Sequence, residues 1–150
     1  MLFESSYFED LVLGQRFVIP SRTLADANFA AFQLASGDNH PIHYDEQYCK
    51  ARGHRGMLAH GFQVAIQTAP GAGLLPHVLG DSLIAFLEQS SKFLEPVYCG
   101  DTVYPALEII GLTPGNTTGV VILKSTVHNQ HRQLVMLGEQ KILVLKRDQT

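Results

Sequence analysis

Cysteine is scarce in this chain of 150 residues: Cys49 and Cys99 are the only two. Their spacing matches neither a zinc-ligand set nor a redox motif, so both read as core or surface thiols and a reducing cytoplasm is the expected setting. Long apolar runs are missing too, and no stretch approaches the length that a bilayer-crossing helix needs. Basic residues form no stripe: 11 Lys and Arg face 14 Asp and Glu, for a net charge of -3. That balance speaks against nucleic acid or an anionic membrane surface as the main partner. The opening segment from Met1 to Leu11 holds three acids and no Lys or Arg, the wrong chemistry for a signal or transit peptide. Linkers, internal repeats and low-complexity tracts are absent as well. The expectation is one domain over residues 1–150.

What the chain does have is core material. Hydrophobic residues make up 45% of it and charged residues 17%, a globular composition long enough to bury a core. A helical, loop-rich first half precedes a strand-rich second half, the order of an α+β domain. After an extended piece from Arg16 to Pro20, Thr23 reads as a helix cap, with Asp26 in the first turn. Ala25, Phe29 and Phe32 then share one side, and Ser36-Gly37 ends the helix. A short helix is expected over Glu46 to Ala51, and a longer one from Gly61 to Ala69, with Phe62, Ala65, Ile66 and Ala69 as its buried face. Pro70-Gly71 stops it. Four strands follow: Ser82 to Phe93, Thr102 to Gly111, Thr117 to Asn129 and Gln133 to Lys146. Turns fall at Pro114-Gly115-Asn116 and around Gln130-His131.

Reactive groups concentrate in Ser36-Gly37-Asp38-Asn39-His40-Pro41-Ile42-His43-Tyr44-Asp45, expected as a loop after the first helix. An Asp and a His five positions apart, across a Pro-stiffened turn, can point into one cleft and serve as acid and base. Taken singly, each also fits a structural role: Asp38 as a turn or cap residue, His43 as a satisfied half-buried imidazole. A second feature is Gly56-Met57-Leu58-Ala59-His60-Gly61, leading into the apolar helix. Free N–H groups at that helix start could meet a negative oxygen. Gly61 could equally serve close packing.

The Ser36–Asp45 segment closely resembles the signature of the MaoC-like dehydratases and (R)-specific enoyl-CoA hydratases. The resemblance continues through Gly53-His54-Arg55-Gly56-Met57-Leu58-Ala59-His60-Gly61 and through Lys92-Phe93-Leu94-Glu95-Pro96-Val97-Tyr98-Cys99-Gly100-Asp101-Thr102-Val103. It implies a hot-dog fold, an antiparallel sheet wrapped around a central helix, here Gly61 to Ala69. It implies homodimers or higher homo-oligomers with sheets joined edge to edge. Asp38 and His43 fall on the family's catalytic pair, and Gly61 on the residue whose N–H binds the thioester oxygen. His60, His40 and Pro41 join Gly61 as expected substrate-binding positions. The implied substrate is an acyl-CoA or acyl-carrier-protein thioester, hydrated or dehydrated without cofactor or metal. Two positions depart from the family: His40 stands where Asn is common, and His54 where Phe is usual.

Three rivals stay open on the sequence. Asp38, His40, His43 and His60 have the residue types of a zinc or iron site, although Pro41 lies between two of them and no helix presents a ligand pair. The same fold also hosts thioesterases, so fold does not fix the reaction. A catalytically silent acyl-thioester binding domain is the third, hinted at by His40. Chain-length preference would come from the Pro70 to Asp81 region and the sheet.

Overall fold

A computed structural model describes residues 4–148; the termini of the expected 1–150 domain lie outside that range. Short strands β1 (Arg16–Val18) and β2 (Arg22–Thr23) precede helices α1 (Asp26–Ser36), α2 (Pro41–Tyr44) and α3 (Glu46–Ala51). Then come α4 (Gly61–Ala65), continued by a 3₁₀ turn over Ile66–Thr68, and α5 (Leu75–Leu79). The long strands are β3 (Leu83–Phe93), β4 (Thr102–Pro114), β5 (Thr118–Asn129) and β6 (Leu134–Leu145). Among the described residues the sheet runs β1-β4-β5-β6-β3, with β2 also paired to β4, and every pairing is antiparallel.

Alternation sets the two faces most plainly in β5. In β5, Val121, Leu123, Ser125 and Val127 are buried and their neighbours are half-exposed. The turn that continues α4 packs over β4 and β5. This is the α+β, hot-dog architecture that the resemblance implies. The four long strands and the turns after β4 and β5 follow the sequence reading, and β4 runs on to Pro114 past a bulge between Ile109 and Gly111. No helix among the described residues is long and apolar enough to cross a membrane. Both cysteines are free: the buried Cys49 thiol lies 2.9 Å from the Ile42 carbonyl, to which it donates. Burial, and then the Asp26 carboxylate, push the Cys99 thiol up to about 11.

Three expectations need correction. Thr23 does not cap α1. It pairs in β2 with Thr102, their hydroxyls 2.8 Å apart. The helix start is held by Asn28, whose Oδ1 accepts the Ala25 N–H at 3.0 Å. Ala25 itself is exposed, while Phe29 and Phe32 are buried as expected. Secondly, Pro41–Tyr44 is not open loop but one helical turn, because Pro41 at its first position needs no N–H partner. Thirdly, the central helix is shorter and rotated. Its buried residues are Gln63, Val64, Gln67 and Thr68, whereas Phe62 and Ile66 are 66% and 55% exposed. The polar face is partly paired, while Gln63 Nε2, Gln67 Oε1 and Gln140 Oε1 are buried without a hydrogen-bond partner among the described residues. Gln67 Nε2 donates to the Gln63 carbonyl at 3.0 Å, and Gln140 Nε2 reaches the carbonyl and hydroxyl of Thr68 at 2.9 and 3.0 Å. The apolar face instead lines an open groove of about 710 Å³ with Ile84 and Phe86 of β3.

A buried carboxylate clamps the loop before the central helix. Asp101 is 1% exposed and takes Arg55 Nη2 on both oxygens, at 2.6 and 2.7 Å. Gln130 Nε2 and the Tyr98 N–H complete its shell at 2.8 and 2.9 Å. Burial by itself would push this carboxyl up. The Arg55, Gln130 and Tyr98 donors outweigh it and hold the pKa below the ordinary 3.8. Asp101→Ala strands three donors and should cost about 2–3 kcal/mol. Because the folded pKa is depressed, that contribution is full above the ordinary value and is lost as pH falls through the folded one. Urea melts of wild type and variant should therefore differ at neutral pH and converge in acid; an undiminished gap in acid would contradict the account.

Candidate active site

The chain reverses at Gly37, where φ of 71° closes α1 and the Gly37 N–H reaches the Gln33 carbonyl at 2.9 Å. Asp38 follows at once. Its Oδ1 accepts the His40 N–H at 2.9 Å, a tight local turn that aims the carboxylate. This N–H is the main reason the Asp38 carboxyl sits below its ordinary 3.8, against a smaller opposing effect of desolvation. His40 itself caps α2, its Nδ1 accepting the Ile42 N–H at 3.2 Å. The imidazole so does for this turn what an Asn side chain at the same position can do. Its ring also stands edge-on to Tyr48, with 5.8 Å between centroids.

One turn of α2 carries His43 into the site. His43 Nδ1 lies 2.6 Å from the carbonyl oxygen of Leu58, which can only accept, so Nδ1 bears the hydrogen. The other ring nitrogen, Nε2, is left with a bare lone pair. The segment from Met57 to His60 is fixed in turn by the Leu58 N–H on the Ile42 carbonyl and by the Ala59 N–H on the Val97 carbonyl, at 3.0 and 2.7 Å. His60 Nδ1 accepts the Phe62 N–H at 2.9 Å, and its Nε2 lies 3.2 Å from Asp38 Oδ2. The His43 and His60 rings are 5.1 Å apart.

Gly61 opens α4, and no acceptor among the described residues takes its N–H. The glycine is needed for space. A Cβ there would lie 2.9 and 3.0 Å from Phe93 ring atoms. His43, Leu58, His60, Gly61, Phe93 and Val97 line a pocket of about 410 Å³ at this point.

The structure thus gathers Asp38, His43, His60 and Gly61, while His40 and Pro41 build the turn beside them. His54, the other departure from the family, holds the Tyr98 hydroxyl at 2.9 Å outside this cluster. Tyr44 was not singled out from sequence, and no periodicity marked it. Its hydroxyl is buried, and burial, then the Asp38 charge, raise its pKa. Ligand atoms of Asp38, His43 and His60 lie within 4.8 Å of one another, so three of the four residues in the metal reading do converge. The hydrogen bond from Phe62 opposes that reading. It leaves the hydrogen of neutral His60 on Nε2, the nitrogen that would have to ligate.

A hot-dog domain with an Asp-His pair beside an unoccupied helix N–H defines a class of acid–base site on this fold. The sequence matches the model of the MaoC like domain over residues 10–131, and the chain belongs to that family. An (R)-specific enoyl-CoA hydratase of Rhodospirillum rubrum is 30% identical over 142 residues, covering 92% of this chain and 91% of that protein. A solved monoamine oxidase regulatory protein from Archaeoglobus superposes with a TM-score of 0.89 at 26% identity, covering 96% of this chain and 97% of its own. The unliganded R-hydratase PhaJ1 from Pseudomonas aeruginosa gives 0.79 at 27% identity, over 94% of this chain and 86% of its own.

The contact between Gly61 and Phe93 yields a test of the packing. Gly61→Ala alone is expected to lower stability by about 1 kcal/mol as the ring is displaced. In a Phe93→Ala background the same change should cost close to nothing. Equal costs in both backgrounds, measured by chemical denaturation, would contradict the close approach.

Proposed function

We propose that this chain adds water reversibly across the double bond of a 2-enoyl thioester, with Asp38 and His43 handling the water. It is an enzyme of the hydratase and dehydratase kind, a hydro-lyase. The observation that carries the finer reading is the 2.6 Å bond from His43 Nδ1 to Leu58, which turns Nε2 into a free base beside the Asp38 carboxylate.

A water held between His43 Nε2 and Asp38 loses a proton to the imidazole as its oxygen bonds to the β-carbon. The alkene electron pair moves toward the thioester, and negative charge grows on the carbonyl oxygen. The Gly61 N–H, with no competing partner, meets that charge. One such preorganised donor is worth about 2.7–4 kcal/mol of barrier. The imidazolium then returns its proton to the α-carbon on the same face, a syn addition that regenerates His43. Read backwards, the same steps dehydrate a 3-hydroxyacyl thioester. The name of the Rhodospirillum rubrum relative supports coenzyme A as the carrier; an acyl carrier protein would present the same thioester.

We also infer a homodimer of single hot-dog domains acting in the cytoplasm. The dimer reading is supported by β3, an edge strand whose outer side carries exposed apolar residues. Ile84 and Phe86 are 50% and 53% exposed and adjoin Phe62 and Ile66 across the groove. The cytoplasmic reading is supported by two free thiols.

Loss of enoyl-thioester absorbance on mixing with short and medium 2-enoyl-CoA substrates tests the reaction. Asp38→Asn and His43→Ala should each remain folded and lower kcat by about 10²–10⁴. Full activity in either, or release of free thiol in place of a 3-hydroxyacyl thioester, would overturn the assignment. Phe86→Glu tests the dimer: light scattering should find two copies in the wild type and one in a folded variant. A monomeric wild type would refute it.

A further inference from the structure

We propose that His60 is a positioning residue: a neutral strut that fixes the Asp38 carboxylate against the N-terminus of α4, and not a substrate contact. Both ring nitrogens are already engaged. Nδ1 accepts the Phe62 N–H at 2.9 Å and so bears no hydrogen. The hydrogen therefore sits on Nε2, which lies 3.2 Å from Asp38 Oδ2 and attracts that carboxylate electrostatically. With the His40 N–H on Oδ1 at 2.9 Å, each carboxylate oxygen has its own polar neighbour. A half-exposed Asp at a helix terminus would otherwise turn freely about its last torsion.

The imidazole is held in its own right. The Phe32 ring of α1 lies 5.2 Å from it and the Phe62 ring of α4 5.3 Å, tilted by 32° and 35°. Phe32 is buried, so one of the two walls is rigid. His60 thereby touches the α1 side of the site, the Asp38 turn and the Phe62 amide in the first turn of α4. It immediately precedes Gly61. The distance between the carboxylate and the Gly61 N–H is consequently set through this ring, and those two groups must act on opposite ends of one substrate. Misplacement by about 1 Å can cost on the order of 100-fold in rate. That catalytic consequence rests on the hydratase reading; the hydrogen-bond assignment does not.

The two nitrogens can be separated by substitution. Asn carries its acceptor near the position of His Nδ1 and is a good helix cap, but is too short to reach Asp38. Gln carries an amide N–H near the position of Nε2 and is a poor cap. His60→Asn is expected to keep the thermal midpoint within a few degrees, hold KM near wild type and lose about 100-fold in kcat. His60→Gln should melt lower yet recover about tenfold in kcat over Asn. Wild-type kcat in His60→Asn, or Gln no faster than Asn, would overturn the proposal. Nitrogen NMR on histidine-labelled wild type needs no substrate: it should find hydrogen on His60 Nε2 and none on Nδ1. Hydrogen on Nδ1 would overturn the strut even if the protein proves a hydratase. The expected tautomer in a protein that hydrates nothing would leave the strut standing and sink the reaction instead.

Discussion

The hydrogen bond from His43 to the Leu58 carbonyl is the constraint on which the site depends. It ties the helical turn after α1 to the segment before α4, two pieces 15 positions apart in the chain. By using a pure acceptor it selects one tautomer of His43, and that choice makes the opposite nitrogen a base. Everything else in the pocket is arranged around this fixed ring. Met57 to His60 is pinned to α2 on one side and to Val97 on the other, so Gly61 starts its helix from an immobile base. A carbonyl is suited to the task because it cannot exchange its role, whereas a hydroxyl or water would permit either tautomer.

Buried polar pairing does comparable work under the central helix. Gln63, Gln67 and Thr68 are buried, Gln140 of the sheet bonds to Thr68, and the apolar side turns away. A helix seated in this way is oriented by hydrogen bonds that fit only one rotation, while apolar contacts would tolerate several. The consequence is an exposed apolar wall next to the open edge of β3. The groove and the pocket beside His43 then share the same helix, Phe62 and Ala65 on one side, Gly61 and Val64 on the other.

Much of the sheet was legible because its signal is local. Alternation from Leu83 onward and the turn at Pro114 to Asn116 specify strands and reversals without knowledge of partners. The α1 terminus at Gly37 was legible for the same reason. The start of α1 was not, since Thr23 has good capping chemistry but is claimed by Thr102, nearly 80 positions away. Phe62, Ala65, Ile66 and Ala69 followed helical spacing faithfully and still did not form the buried face. Periodicity identifies a stripe, and only the surroundings decide whether that stripe meets the core or another surface. His60 illustrates a further limit. Its residue type suggests a ligand or a substrate contact, and no local pattern shows that the Phe62 N–H and the Asp38 carboxylate lie against its two nitrogens.

The sequence by itself determined the α+β order, the antiparallel strands, the closely spaced Asp-His pair around Pro41 and the family signature that joins them. These are carried by residue type and short-range spacing, which backbone sterics and hydrophobic alternation translate directly into structure. Tertiary structure alone decided the tautomers of His43 and His60, the rotation of the central helix and the convergence of Asp38 with Gly61. Each of those depends on an acceptor or a wall supplied by a distant segment, and no local pattern encodes which carbonyl a ring nitrogen will meet.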